Sequence, residues 1–75
     1  MLIEITNVVY EGYEAEPSEF LKCWIDPATV REVSPWPSHI RKCKVICEQG
    51  YRFATCYYLT ETAEEFVERA GLINP

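Results

Sequence analysis

The sequence predicts one small α+β domain over residues 1–75, mostly β, with about five antiparallel strands and one C-terminal helix. The strands are expected to form a twisted sheet or a small, partly open barrel. Segments with the two-residue periodicity of strands follow one another along most of the chain, separated by Gly, Pro and Asp. Near the C-terminus the apolar spacing becomes helical. With 48% hydrophobic residues, the chain has enough apolar material for a single core.

The first part of the chain predicts two strands and a loop between them. In MLIEITNVVY, Ile3 and Ile5 lie on one side of an extended chain. The polar segment EGYEAEPSE, with its Gly and Pro, is expected to be a loop. FLKCWI then alternates, which places Phe20 and Trp24 on one face and Cys23 on the other.

Three further strands are expected to follow a turn. The Asp-Pro-Ala sequence at residues 26–28 favours a turn, and TVREV predicts a short third strand. SPWPS brackets Trp36 with two prolines and predicts a rigid surface loop. HIRKCKVICE and YRFATCYYL are expected to be the fourth and fifth strands, joined by a two-residue turn at Gln49 and Gly50.

The end of the chain predicts a capped helix. Thr62 is followed three residues later by Glu65, which is the capping-box pattern. Apolar residues then recur at helical spacing in TAEEFVERAGL. Gly71 is suited to the position after the helix, and Leu72 is expected to fold back onto Phe66 or Val67.

Three of the four cysteines lie in CKVICEQGYRFATC. A two-residue turn would set Cys43 opposite Cys56 and place both on a core face with Val45, Cys47 and Ala54. Cys43 and Cys47 would then be about 13 Å apart on one extended strand, too far to share a zinc ion. Buried structural thiols are the favoured hypothesis, and a disulfide between Cys43 and Cys56 stays open.

The net charge and the composition argue against several classes of function. A net charge of −5 argues against direct nucleic-acid binding, which needs a basic surface. No secretory leader or membrane-spanning apolar segment is visible, so a cytoplasmic location without membrane attachment is expected. His39 is expected to be exposed, and no pattern of catalytic, metal-ligating or cofactor-binding residues is present. The sequence therefore predicts a protein that is not an enzyme and has no cofactor.

The expected function is a non-catalytic protein-binding or regulatory module that binds a protein partner or itself through exposed aromatic residues and an edge strand. A small acidic phage or mobile-element inhibitor, or nucleic-acid mimic, is one alternative; a zinc-binding or redox cysteine protein is another. The candidate partner-binding residues are three aromatic and four acidic side chains: Trp36, Tyr57, Tyr58, Glu14, Glu16, Glu64 and Glu68.

Three motifs together carry a family resemblance. They are WIDP at residues 24–27, Gly50 followed three residues later by Phe53, and ETAEE at residues 61–65. With them, about two-thirds of the chain resembles the small FlbD-type (SwrD) proteins encoded among flagellar genes, and similar short bacterial and phage proteins. The resemblance implies a compact, mostly β fold without catalytic residues.

Overall fold

A computed structural model of the chain describes residues 1–9, 19–48, 50 and 53–72. These residues form an antiparallel sheet and one helix, which confirms the predicted fold class. The five strands are Ile3–Val9 (β1), Glu19–Ile25 (β2), Val30–Pro35 (β3), Cys43–Glu48 (β4) and Ala54–Leu59 (β5), and the helix is Ala63–Arg69 (α1). The order across the sheet is β2-β1-β5-β4-β3, so β2 and β3 are its edges and the sheet is not closed.

The hydrophobic core lies on one face of this sheet. Successive side chains of a strand alternate between faces, so Cys43, Val45 and Cys47 of β4 are buried there while Lys44 points away. Phe66 of α1 completes the core and is 0% exposed. The buried residues in contact there are Ile5, Ile25, Cys43, Val45, Cys47, Leu59 and Phe66.

Both ends of α1 have the predicted caps. The Thr62 hydroxyl accepts a hydrogen bond from the Glu65 amide at 3.1 Å, and the Glu65 carboxylate accepts one from the Thr62 amide at 3.1 Å. These hydrogen bonds lower the pKa of the Glu65 carboxyl below its ordinary value. At the other end, Gly71 has φ 71° and the Leu72 amide donates to the Val67 carbonyl at 2.9 Å. Leu72 also packs against the core, which positions the helix on the sheet.

Thr62→Ala should lower the free energy of unfolding by about 1 kcal/mol, because the Glu65 amide loses its acceptor and alanine cannot replace it. Chemical denaturation of the two proteins measures the difference. Thr60→Ala, two residues earlier and outside the capping box, is the matched control and should change stability by less than about 0.5 kcal/mol. Equal losses in the two variants would show that the cap does not stabilise the helix.

The predicted register of the β4–β5 hairpin is wrong. Glu48 pairs with Ala54, so five residues, 49–53, connect the strands instead of two. Cys43 therefore lies opposite Leu59, three residues beyond Cys56, and Cys56 lies opposite Ile46. Because a shift by an odd number of residues exchanges the two faces of a strand, Ala54 and Cys56 are exposed and not in the core.

Several predicted element boundaries also change. β4 begins at Cys43, and residues 39–42 precede it outside the sheet. β3 continues to Pro35, where a proline is tolerated because this strand is at the edge. The turn after β2 is confirmed: the Asp26 carboxylate accepts from the Ala28 amide at 2.9 Å and caps a 3₁₀ turn at Pro27–Thr29. The predicted loop at residues 11–19 lies outside the described residues except for its last position.

Side chains strengthen the junction between β1 and β5, where Asn7 is paired with Leu59. The Asn7 side-chain oxygen accepts from the Tyr58 amide at 2.9 Å. Arg41 donates two hydrogen bonds to the Val8 carbonyl, at 3.2 and 2.9 Å. Arg69 of α1 donates to the Glu4 carbonyl at 2.7 Å. These bonds attach the β1–β2 hairpin to the rest of the sheet.

Candidate interaction surface

Strand β2 is the edge of the sheet that has the most exposed apolar surface. It pairs with β1 along its whole length, from Glu19 opposite Val9 to Ile25 opposite Ile3. On its inner face, Cys23 and Ile25 contact the core. Its outer face presents Phe20 and Trp24, as the alternation of FLKCWI predicts.

Three apolar side chains of β2 are accessible to solvent. Phe20 is 54% exposed, Leu21 45% and Trp24 59%. Large aromatic side chains contribute most to the affinity of protein interfaces when they are buried by a partner. Within the described part of the chain, no strand pairs with β2 on the side away from β1. The backbone N–H and C=O groups on that side are therefore available to pair with another strand.

The opposite edge, β3, has the features that normally prevent strand pairing. Arg31 of β3 forms an ion pair with Glu48 of β4, and Glu32 lies 4.0 Å from the Lys44 ammonium. Pro35 has no backbone N–H to donate. Charged residues and proline on an edge strand disfavour edge-to-edge association. The two edges differ in this respect, and β2 is the one whose chemistry favours a partner.

A second cluster, the outer-face cluster, consists of Trp36, Arg41, Lys44 and Tyr58. The Trp36 and Tyr58 rings meet edge to face with centroids 5.2 Å apart. The Arg41 guanidinium lies 4.1 Å from the centre of the Tyr58 ring, and the Lys44 ammonium lies 5.4 Å from that of Trp36. Trp36 is 37% exposed. The cluster therefore fixes the segment after β3 against the sheet and leaves part of the Trp36 ring accessible.

The other candidate partner-binding residues are dispersed. Tyr57 packs against the hydrophobic core, whereas Tyr58 belongs to the outer-face cluster. Glu14 and Glu16 lie outside the described residues. Glu64 and Glu68 are exposed on α1, away from the aromatic residues of β2 in the sequence.

Two further helix-region glutamates have partners within the chain. Glu61 accepts two hydrogen bonds from Arg69, at 3.1 and 2.6 Å, and Glu65 belongs to the capping box. These contacts give the two carboxylates structural roles at the helix. Side chains that are engaged in this way are less available to bind an external partner.

The sequence-based candidate list omitted Phe20, Leu21 and Trp24. A signal was present, because FLKCWI has large apolar residues on both faces of the strand. A strand in a sheet that is packed on one face needs apolar residues on that face alone. Large apolar residues on both faces therefore indicate a second contact surface. The sequence does not give the order of the strands in the sheet, so it did not show that β2 would be an edge strand.

The thiols are in environments that disfavour thiolate chemistry. All four cysteines are free; Cys43 and Cys47 are buried, Cys23 is partly buried and Cys56 is exposed. Burial, with the Glu61 carboxylate adding to it, raises the pKa of Cys43 to about 11. Burial also raises the pKa of Cys23 and of Cys47. The thiolate is the nucleophile, so these three thiols are poorly suited to attack a substrate.

We expect thiol alkylation of the native chain to modify Cys56 first, Cys23 more slowly, and Cys43 and Cys47 only when the protein unfolds. The reason is access, together with the raised pKa values of the buried thiols. Iodoacetamide labelling followed by peptide mass spectrometry measures the order. The same reaction in denaturant, where all four thiols should react at similar rates, is the control. Equal native-state rates for Cys43 and Cys56 would contradict the described hairpin register.

Among the described residues, neither metal-ligating side chains nor a groove gives a stronger candidate for a functional site than β2. Among residues 1–9, 19–48, 50 and 53–72, no group of three or more His, Cys, Asp or Glu side chains is arranged to hold a metal ion. A groove of about 410 Å³ lies between the 3₁₀ turn and the β4–β5 connection. Its two charged lining residues, Arg31 and Glu48, are paired with each other. Such a groove has no evident group for catalysis among the described residues that line it.

Comparison with known proteins gives no further assignment. No protein-family model, curated protein or solved structure matches this chain significantly. The part of the chain that the structure describes contains no helix with the length and apolar character needed to cross a lipid bilayer. The assignment of the candidate interaction surface to β2 therefore depends on the geometry of the chain alone.

Proposed function

We propose that the chain is a non-catalytic protein-binding or regulatory module that binds its partner through edge strand β2. One observation carries this proposal: β2 combines exposed Phe20, Leu21 and Trp24 with an unpaired backbone edge, while the other edge, β3, is charged and ends in proline. The difference between the two edges supports a specific docking strand.

Strand addition is the binding mode that this edge favours. An extended segment of a partner that lies beside β2 would receive backbone hydrogen bonds from the sheet, which supply affinity. The aromatic rings of Phe20 and Trp24 would then cover alternate side chains of the added strand and supply specificity. Burial of exposed aromatic surface contributes most when the ring becomes fully desolvated.

The proposal also includes that the chain does not act as an enzyme. Three of the four thiols have raised pKa values, which keeps them protonated near neutral pH. The single histidine, His39, is exposed and lies outside the regular elements. The residues best placed for chemistry are thus either buried and neutral or isolated on the surface.

Site-specific photo-crosslinking tests the proposed function. Trp24→p-benzoylphenylalanine places a crosslinker at the most exposed aromatic position of β2, and Glu32→p-benzoylphenylalanine places the same group on β3. Each variant is irradiated in a lysate of the source cells, and the products are identified by mass spectrometry. We expect a discrete adduct with one protein, or with the chain itself, from position 24 and none from position 32.

Equal labelling from positions 24 and 32, or no discrete adduct from position 24, would overturn the proposal. Both substituted side chains are exposed, so the two variants should keep the native circular dichroism spectrum. Excess unlabelled native chain should reduce a specific adduct by competition, which separates docking from random collision.

A further inference from the structure

We propose that the partner of β2 is a second copy of this chain, paired antiparallel with β2 about a two-fold axis at Cys23. This inference rests on the proposed function, because it names the partner of the same strand. It joins two five-stranded sheets into one continuous sheet of ten strands, 5 from each copy. The argument depends on which side chains of β2 face each other when the strand meets itself.

The alternation of side chains restricts the pairing. In a continuous antiparallel sheet, directly opposed residues must lie on the same face. A two-fold axis perpendicular to the sheet therefore sets one residue of β2 opposite the same residue of the second copy. The residue before it then lies opposite the residue after it in the other copy. Three positions, Leu21, Lys22 and Cys23, lie near enough to the middle of Glu19–Ile25 to give a useful overlap.

The charge pattern selects among these three axes. An axis at Lys22 would place the two ammonium groups opposite each other, and like charges directly opposed destabilise a sheet. An axis at Leu21 would extend the pairing beyond Glu19 and bring that carboxylate opposite Cys23. The Lys22 axis is repulsive. The Leu21 axis pairs Phe20 with Lys22, but it sets a carboxylate opposite a thiol that packs against the core and leaves Trp24 outside the described overlap.

An axis at Cys23 makes the strand self-complementary. On the outer face, Lys22 of each copy lies opposite Trp24 of the other, and tryptophan is the best aromatic partner for a cation. On the inner face, Leu21 lies opposite Ile25, which brings two apolar side chains together. The overlap runs over Leu21–Ile25, so Glu19 stays outside it and exposed Leu21 and Trp24 are covered.

Charges on and around β2 affect this approach. Lys22 already lies 3.6 Å from Glu4 of the neighbouring strand β1, so its ammonium group is held on the outer face. Each copy has a net charge of −5, which opposes association at long range. At physiological ionic strength the Debye length is about 8 Å, so repulsion between distant carboxylates is largely screened.

Analytical ultracentrifugation with two lysine substitutions tests the pairing and its register. At a physiological ionic strength of about 0.15 M, the mass of the native protein should rise with concentration from 8.7 kDa towards twice that value. Trp24→Lys places two pairs of ammonium groups opposite each other and should weaken association by at least ~10-fold. Phe53→Lys is the matched control: it makes the same aromatic-to-lysine change at an exposed position outside β2, and association should change less than about threefold.

Disulfide trapping supplies a second readout of the register. In the Cys56→Ser protein, mild oxidation with diamide should join two copies through Cys23, because opposed residues have Cα atoms about 4.5–5.5 Å apart. The Cys23→Ser, Cys56→Ser protein should give no such dimer. Peptide mapping identifies the linked cysteine.

A native chain that stays monomeric to millimolar concentration would overturn the inference. So would equal association of the Trp24→Lys and native proteins, or an equal loss of association in Phe53→Lys and Trp24→Lys. If the chain is monomeric but position 24 still crosslinks to a different protein, the self-pairing is wrong and the proposed function stands. If position 24 gives no discrete adduct at all, the proposed function fails as well.

Discussion

Phe66→Ala should lower the free energy of unfolding by about 3–5 kcal/mol, the largest effect expected of a single core substitution here. Phe66 is 0% exposed and is the residue through which α1 enters the core. Its removal loses the transfer free energy of the ring and leaves a cavity beneath the helix. For a chain of 75 residues the total stability is expected to be about 4–11 kcal/mol, so the loss would remove roughly a quarter to a half of it at the upper end of that range and most or all of it at the lower end.

Urea denaturation followed by circular dichroism measures this loss, and Phe53→Ala is the matched control. Phe53 lies in the β4–β5 connection and is 75% exposed, so the same substitution there should change stability by less than about 0.5 kcal/mol. Similar losses at positions 53 and 66 would contradict the described packing of α1 against the sheet.

Arg41→Met should lower the free energy of unfolding by about 2–3 kcal/mol. The guanidinium donates two hydrogen bonds to the Val8 carbonyl and stacks on the Tyr58 ring, so one side chain connects β1, β5 and the segment before β4. Methionine keeps most of the aliphatic stem but has no donor and no charge. The Val8 carbonyl would then lose both Arg41 hydrogen bonds in a partly buried position.

Lys42→Met is the control for the charge that Arg41→Met removes. Lys42 is exposed and adjacent in sequence, so its replacement should change stability by less than about 0.5 kcal/mol. Arg41→Lys should fall between the two, because lysine retains the charge but cannot donate from two guanidinium nitrogens. A loss in Lys42→Met equal to that in Arg41→Met would show that net charge, and not the contacts of Arg41, is responsible.

Local patterns predicted the elements of this fold but not the pairing of β4 with β5. The Thr62 cap, the positive φ of Gly71 and the alternation of β2 each depend on a few neighbouring residues, and each is confirmed. The predicted register of the β4–β5 hairpin assumed a two-residue turn at Gln49 and Gly50. Since Gln is a weaker turn residue than Asn or Asp there, the actual connection of five residues was compatible with the same sequence.

The candidate interaction surface required the order of the strands. The sequence showed that Trp24 and Phe20 share a face, but it did not show whether the backbone of their strand has a neighbour on both sides. The placement of β2 at the edge leaves backbone groups unpaired beside these exposed side chains. Strand order depends on contacts between distant parts of the chain, which short-range patterns do not determine.

Amide hydrogen exchange of β2 tests most directly whether it is the docking strand. In an edge strand, alternate amides point away from the sheet and exchange rapidly unless another strand pairs with them. We predict that, in the concentrated chain or in a complex with the protein captured at position 24, all amides of Leu21–Ile25 become protected while the outward amides of β3 still exchange. If alternate amides of β2 exchange as rapidly as those of β3 in both samples, β2 is not the docking strand.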